Sequence, residues 1–164
     1  MRLVRSQAQD EPGAIASRSI SEVSSSRLRQ VFAVWQEKCE APDRLPAADG
    51  FDILDYRAAI GNTNLIEVRS DPLDFVFRVH SANGAKYVGR DLTGRSVDEY
   101  PDPQYRDFVR VFFTRAVQTR RPQIVIEELD TADNRRMRWE GIIMPMQDEA
   151  GKVTRLIVSF EILH

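Results

Sequence analysis

The segment Gly89-Arg90-Asp91-Leu92-Thr93-Gly94-Arg95 constrains the fold of this chain more than any other stretch. It lies between an alternating strand pattern, Phe75 to Ser81, and a long amphipathic helix pattern, Gln104 to Thr119. Closely spaced glycines tolerate backbone conformations that neither a strand nor a helix interior uses, so this stretch is a crossing between the two. Three more strand patterns follow the helix: Ile124 to Leu129, Met137 to Met146 and Val153 to Leu163.

The same reading extends along the chain. Ser24-Ser25-Ser26 offers N-cap chemistry for a helix whose apolar stripe is Leu28, Val31, Phe32 and Trp35, and Pro42 and Pro46 end it. Asp49 to Ile60 predicts a short helix or turn closed by Gly61-Asn62. Asn64 to Arg69 predicts a first strand, and Asp71-Pro72 a turn into the second. Asp102 and Pro103 form an N-cap and first-turn pair for the long helix, whose buried stripe is Tyr105, Phe108, Val109, Phe112, Ala116 and Val117. Asp148-Glu149-Ala150-Gly151 predicts a hairpin turn with glycine in the left-handed position. Hairpins at both ends imply antiparallel pairing, so the expected class is α+β: a five-stranded antiparallel sheet with helices on one face and an N-terminal helical extension. The expected division is a flexible Ser-rich tail over 1–25, a helical extension over 26–62 and a core domain over 63–164.

Composition narrows the function classes. The net charge of −2 over 164 residues gives no bulk attraction to nucleic acid or membrane. The single cysteine, Cys39, excludes a disulfide framework and a cysteine-rich zinc site within the chain. No run approaches the roughly 18 apolar residues of a membrane span, and the first residues lack a signal-peptide core. The expected setting is cytoplasmic.

The motifs resemble those of the PAS domain. Asp91-Leu92-Thr93-Gly94-Arg95 corresponds to that family's acidic-Leu-x-Gly stretch, and Pro145 to Val153 to its P-x-x-D-x-x-G-x-V hairpin. More closely, the chain is similar to a bacterial single-domain PAS subfamily of unassigned ligand. There a helix ending in Trp is followed by segments matching Pro46 to Asp52, Asp71 to Arg78 and Gly89 to Arg95. The resemblance covers roughly 27–164. It departs from the pattern at Ser81-Ala82 and Gly61-Asn62, where members carry Gly-Thr and Pro-His. It implies a sensory or interaction module that binds small ligands or partner proteins. The chain ends with its last strand pattern, so the expected output is in trans, through protein partners.

Several sites follow. Phe77, Val79, Ser81, Asn83, Tyr87, Phe112, Trp139 and Phe160 are the candidate lining of a pocket between sheet and helix, with a solid packed core as the alternative. Ile142, Met144, Ile157 and Leu163 give the opposite sheet face an apolar patch, where an exposed antiparallel face should be polar. With Leu28, Val31, Phe32 and Trp35 they form a candidate interface, covered by the chain's own helix or by that of a second copy in a homodimer.

His80 is expected beside Arg78 on the face opposite Phe77, away from the pocket. Haem-binding members of the family take their ligand from the long-helix region, which has no His here, so haem is not expected. A flavin adduct is not expected either, because Cys39 lies at the end of the N-terminal helix. Arg106 and Arg110 resemble half of a cyclic-dinucleotide motif whose partner is missing, and a solvated helix face is the simpler reading. No nucleophile-and-base set, P-loop or Rossmann fingerprint appears. A small α+β pocket enzyme would have only Tyr87 and Glu128 as members, and the other alternative is a ligand-free scaffold. The expected reading is therefore a non-enzymatic sensory and signalling module, with a small-molecule ligand and protein partners and no nucleic acid.

Overall fold

The computed structural model of the protein describes residues 4–5, 18–130 and 136–164. Its strands are β1 (Val4–Arg5), β2 (Thr63–Arg69), β3 (Asp74–Val79), β4 (Gln123–Asp130), β5 (Arg136–Gln147) and β6 (Val153–Leu163). They form one antiparallel sheet in the order β1-β4-β5-β6-β2-β3. The expected five-stranded α+β sheet is present, and the two-residue β1 extends its β4 edge. Helices α1 (Ser26–Lys38), α2 (Ala82–Val88) and α3 (Pro103–Thr119) complete the fold, with 3₁₀ turns at Ile20–Glu22, Ala48–Gly50, Ile53–Ala59 and Val97–Glu99.

Local chemistry sets the helix ends. Asp102 accepts from the Gln104 and Tyr105 amides, Pro103 opens α3, and Phe108, Val109, Phe112, Phe113 and Ala116 are its buried stripe. Arg120 ends α3 in the left-handed region at φ 54°, and its guanidinium reaches the Gly151 carbonyl and Gln147 Oε1. Ser25 caps α1 by accepting from Leu28 N. Gly151, at φ 84°, sits in the β5–β6 turn as expected.

The expected tail over 1–25 falls largely outside the described residues. Its last part is built into the fold: Ser19 and Glu22 form a capping box, and Val23 is buried.

The sheet has two covered faces. Pairs directly opposite in register share a face, so Asn64 with Val158, Ile66 with Leu156 and Gly141 with Phe160 point toward α2 and α3. Leu65 with Ile157, and Glu140 with Glu161, point toward α1. The helix α1 therefore lies over its own sheet. Leu28, Val31, Ile142, Met144 and Ile157 are each fully buried, Trp35 nearly so, and Phe32 and Leu163 partly so. Within this chain the apolar face is covered by α1.

Candidate functional site

Between α3 and the inner sheet face lies a cavity of about 370 Å³, within the size range of small-molecule sites. Its sheet wall comes from β4, β5 and β6 through Val125, Trp139, Gly141, Ile143, Val158 and Phe160. Phe108, Phe112 and Phe113 of α3 form the facing wall. Tyr100, Tyr105 and the half-exposed Tyr87 also line it.

The sheet wall owes its flatness to Gly141. The Trp139 indole lies across that glycine and stacks on Phe160, with ring centroids 6.3 Å apart and planes 12° apart. A β-carbon on Gly141 would come within 2.4 Å of Trp139 Cη2. The Tyr100 and Tyr105 rings meet with centroids 4.6 Å apart and planes tilted by 42°. Burial pushes the Tyr100 phenol far up, and the hydrogen bond with Tyr105 and its nearby charge add to that.

Polar groups in the wall are few. Asn64 Oδ1 accepts from the Ser81 amide at 2.8 Å. Glu127 faces the cavity in phase with Val125, because alternate residues of a strand share a face. Its neighbour Glu128, which only the enzymatic alternative would place in the pocket, turns the other way and pairs with Arg138 at 3.7 Å.

Of the eight expected lining residues, Phe77, Tyr87, Phe112, Trp139 and Phe160 line the cavity. Val79, Ser81 and Asn83 do not. The β2–β3 register shifts between Leu65 and Ile66, which pairs Val79 with the outward Leu65 and leaves it 43% exposed. Ser81 is buried as the N-cap of α2, accepting from Gly84 N. Asn83 is exposed and donates to Asn62 Oδ1. Sequence reasoning missed Asn64, Tyr100, Tyr105, Phe108, Glu127 and Gly141. The spacing of Tyr105, Phe108 and Phe112 on one helix face was the available signal for the α3 side of the pocket.

His80 is also corrected. It does not face outward with Arg78: its ring packs on Phe77 at 4.6 Å and its side chain is 1% exposed. The strand has ended at Val79, so its alternation no longer governs the next residue. His80 Nδ1 accepts from Leu92 N, His80 N donates to Thr93 Oγ1, and Gly94 N donates to Phe77 O. The glycine-punctuated crossing is thus fastened around one imidazole.

Arg110 is only partly solvated and is tied into a charge cluster. Its guanidinium grips Asp98 through Nε at 2.5 Å and Nη2 at 2.7 Å, and reaches Asp74 at 3.1 Å. Arg106 Nη1 donates to the Asp98 carbonyl. Cys39 is half-buried, its thiol pushed up by burial and donating to the Trp35 carbonyl at 3.4 Å.

On the outer face, Glu140 anchors the start of α1. Its carboxylate is fully buried and accepts from the Ser24 amide at 2.8 Å, the Ser25 amide at 2.9 Å and Arg138 Nε at 2.7 Å. Burial pushes this carboxyl up, but the Ser25 and Ser24 amides and Arg138 outweigh it and hold it below its ordinary value. Trp35 Nε1 donates to the Pro145 carbonyl at 2.9 Å. No cluster of three or more metal-ligating side chains occurs among the described residues, and no described helix is long and apolar enough to cross a membrane.

An antiparallel sheet with a cavity under one face and its own N-terminal helix on the other defines a pocketed α+β domain. The chain belongs to the PAS domain family, whose model matches residues 23–160. Similar solved structures include a sensory box sensor histidine kinase from Vibrio cholerae, at 16% identity and a TM-score of 0.49, covering 68% of this chain and 89% of that one. The dark structure of the Aureochrome1 LOV photoreceptor is similar at 16% identity and a TM-score of 0.45, covering 74% and 89%. VqmA bound to DPO is similar at 17% identity and a TM-score of 0.47, covering 61% of this chain and 52%, about half, of that one. Among curated proteins, none matches the chain in sequence.

Proposed function

We propose that the protein is a sensory signalling module in which a small molecule in the cavity is read out by α1 and passed to a protein partner. One observation carries this reading: β5 serves both faces. Trp139, Gly141 and Ile143 line the cavity, while the alternating Glu140, Ile142 and Met144 hold α1 or lie buried beneath it. A ligand that moves this strand changes the seat of α1, which is a population shift between docked and loosened helix.

Of the Tyr87 and Glu128 pair that an enzymatic reading would use, the cavity takes Tyr87 but not Glu128, which pairs with Arg138 instead. The test has two parts. Mass spectrometry of the purified, then denatured, protein should release a stoichiometric small molecule. Hydrogen exchange over 24–38 should then differ between loaded and stripped protein. Identical exchange in the two states sinks the readout through α1.

A further inference from the structure

Resting on the cavity as the ligand site, we infer that Asn64 selects what enters it: the ligand presents a carbonyl-type hydrogen-bond acceptor to Asn64 Nδ2, at the end of the cavity formed by β2 and α2. Asn64 is buried, pairs with Val158 on the inner sheet face, and lines the cavity together with Val158, Gly84 and Tyr87. Its carboxamide is held in one orientation. Oδ1 accepts from the Ser81 backbone N–H at 2.8 Å, and a backbone N–H can meet only the oxygen of an amide. The NH₂ therefore takes the other side of the fork. Nδ2 donates to nothing among the described residues, and it is not sealed inside protein as His80 Nε2 is.

The surroundings add donors rather than acceptors. Ser81 Oγ is engaged as the cap of α2, accepting from Gly84 N at 3.1 Å. His80 Nδ1 accepts from Leu92 N at 3.0 Å, which leaves the imidazole proton on Nε2. That nitrogen is buried against Gly84 and has no acceptor among the described residues either. Two donors at the foot of α2 thus stand without a protein acceptor.

A donor facing open space pairs with water. A ligand that fills this end displaces the water and has to return an acceptor, or the amide is left unpaired in an apolar wall. The nearby lining from β3, α2 and β6 is apolar through Phe77, Val88 and Val158, so it offers Nδ2 no substitute. A ligand bringing only N–H or O–H here would set donor against donor. One bringing a carbonyl oxygen completes the fork.

The test uses two probes of one shape, acetophenone and ethylbenzene, which differ by a carbonyl in place of a methylene. Each is titrated near neutral pH into the isotope-labelled full chain and followed by amide NMR. The backbone amides of Val125, Ile143 and Val158 should shift with both, which locates both in the cavity. The Asn64 side-chain NH₂ signals should move downfield with acetophenone and not with ethylbenzene. In Asn64→Leu, which nearly keeps the side-chain size and removes the donor, the ratio of acetophenone to ethylbenzene affinity should fall about five- to tenfold, the worth of one neutral hydrogen bond. That variant also takes the acceptor from Ser81 N, so the wild-type NH₂ signal is the readout that stands if it does not fold. Asn64 signals that respond alike to the two probes, or an affinity ratio unchanged in folded Asn64→Leu, overturn this inference and leave the cavity reading standing. Cavity amides unmoved by either probe overturn the cavity reading and this inference with it.

Discussion

His80 Nδ1 accepts a hydrogen bond from the Leu92 backbone N–H at 3.0 Å, at the start of the crossing between β3 and α3. The bond fixes the tautomer, because an accepting nitrogen carries no proton. The proton therefore sits on Nε2, which is buried against Gly84 of α2 and has no hydrogen-bond partner among the described residues. A second proton would place two donors face to face at Leu92. Burial holds this imidazole below its ordinary value of 6.5, and Asp91, 3.7 Å from Nδ1, only partly opposes that.

The sign of the pH dependence follows. Below pH 6.5 the unfolded chain takes up a proton at this histidine more readily than the folded one does. The contribution is full above that value and is lost as pH falls beneath it. Urea unfolding near pH 7.5 and near pH 5.5 should show the loss, and His80→Asn, which keeps an acceptor for Leu92 N but cannot titrate, should lose less. Equal losses in the two proteins would remove His80 from the account.

Glu140→Gln should cost about 1–3 kcal/mol, because an amide NH₂ would replace one carboxylate oxygen among three donors in a fully buried site. The Ser24 and Ser25 amides should exchange faster in the variant, since they are its backbone donors. The carboxyl lies below its ordinary value of 4.5, so its stabilisation is full above that pH and disappears as pH drops below it. Unchanged exchange at Ser24 and Ser25 would show that α1 is held by its apolar face alone.

The parts legible in the sequence were those fixed by neighbours a few residues away. Asp102-Pro103 announced the start of α3, the run Ser24-Ser25-Ser26 the start of α1, and Gly151 the β5–β6 turn, because caps and turns are short-range chemistry. Phe77, Trp139 and Phe160 were found in the cavity because strand alternation held across them. Val79 and His80 were misplaced where that alternation stopped, at a register shift and at a strand end. Glu140 was not legible as an anchor of α1. Its role comes from Ser24 and Ser25, more than 100 residues away in the chain, a distance no local pattern spans.

Arg110→Lys should cost about 0.5–1 kcal/mol, a modest figure because the cluster is partly solvated. A lysine ammonium cannot reproduce the forked grip on both Asp98 oxygens. The more direct reading is the Asp98 carboxyl, which the Arg110 hydrogen bond holds below its ordinary range. An NMR titration should find Asp98 moved up toward that range in the variant. An unmoved Asp98 would assign its low value to Arg106, whose nearby charge acts in the same direction.

Gly141→Ala tests whether the cavity depends on the seat of Trp139. The added methyl would overlap the indole at 2.4 Å from Cη2 and 2.7 Å from Cζ3. The backbone of a central strand cannot yield easily, with β4 on one side and β6 on the other. The ring must yield instead, and the space open to it is the cavity it lines. The expected stability cost is about 1–3 kcal/mol, typical of overpacking at a site with room to relax. Acetophenone affinity should fall at least about tenfold, because the displaced indole occupies the ligand's place. In a Trp35→Phe background, Trp139 emission should shift as the ring leaves its stack on Phe160. Acetophenone binding unchanged by a moved Trp139 would place the probe elsewhere on the protein.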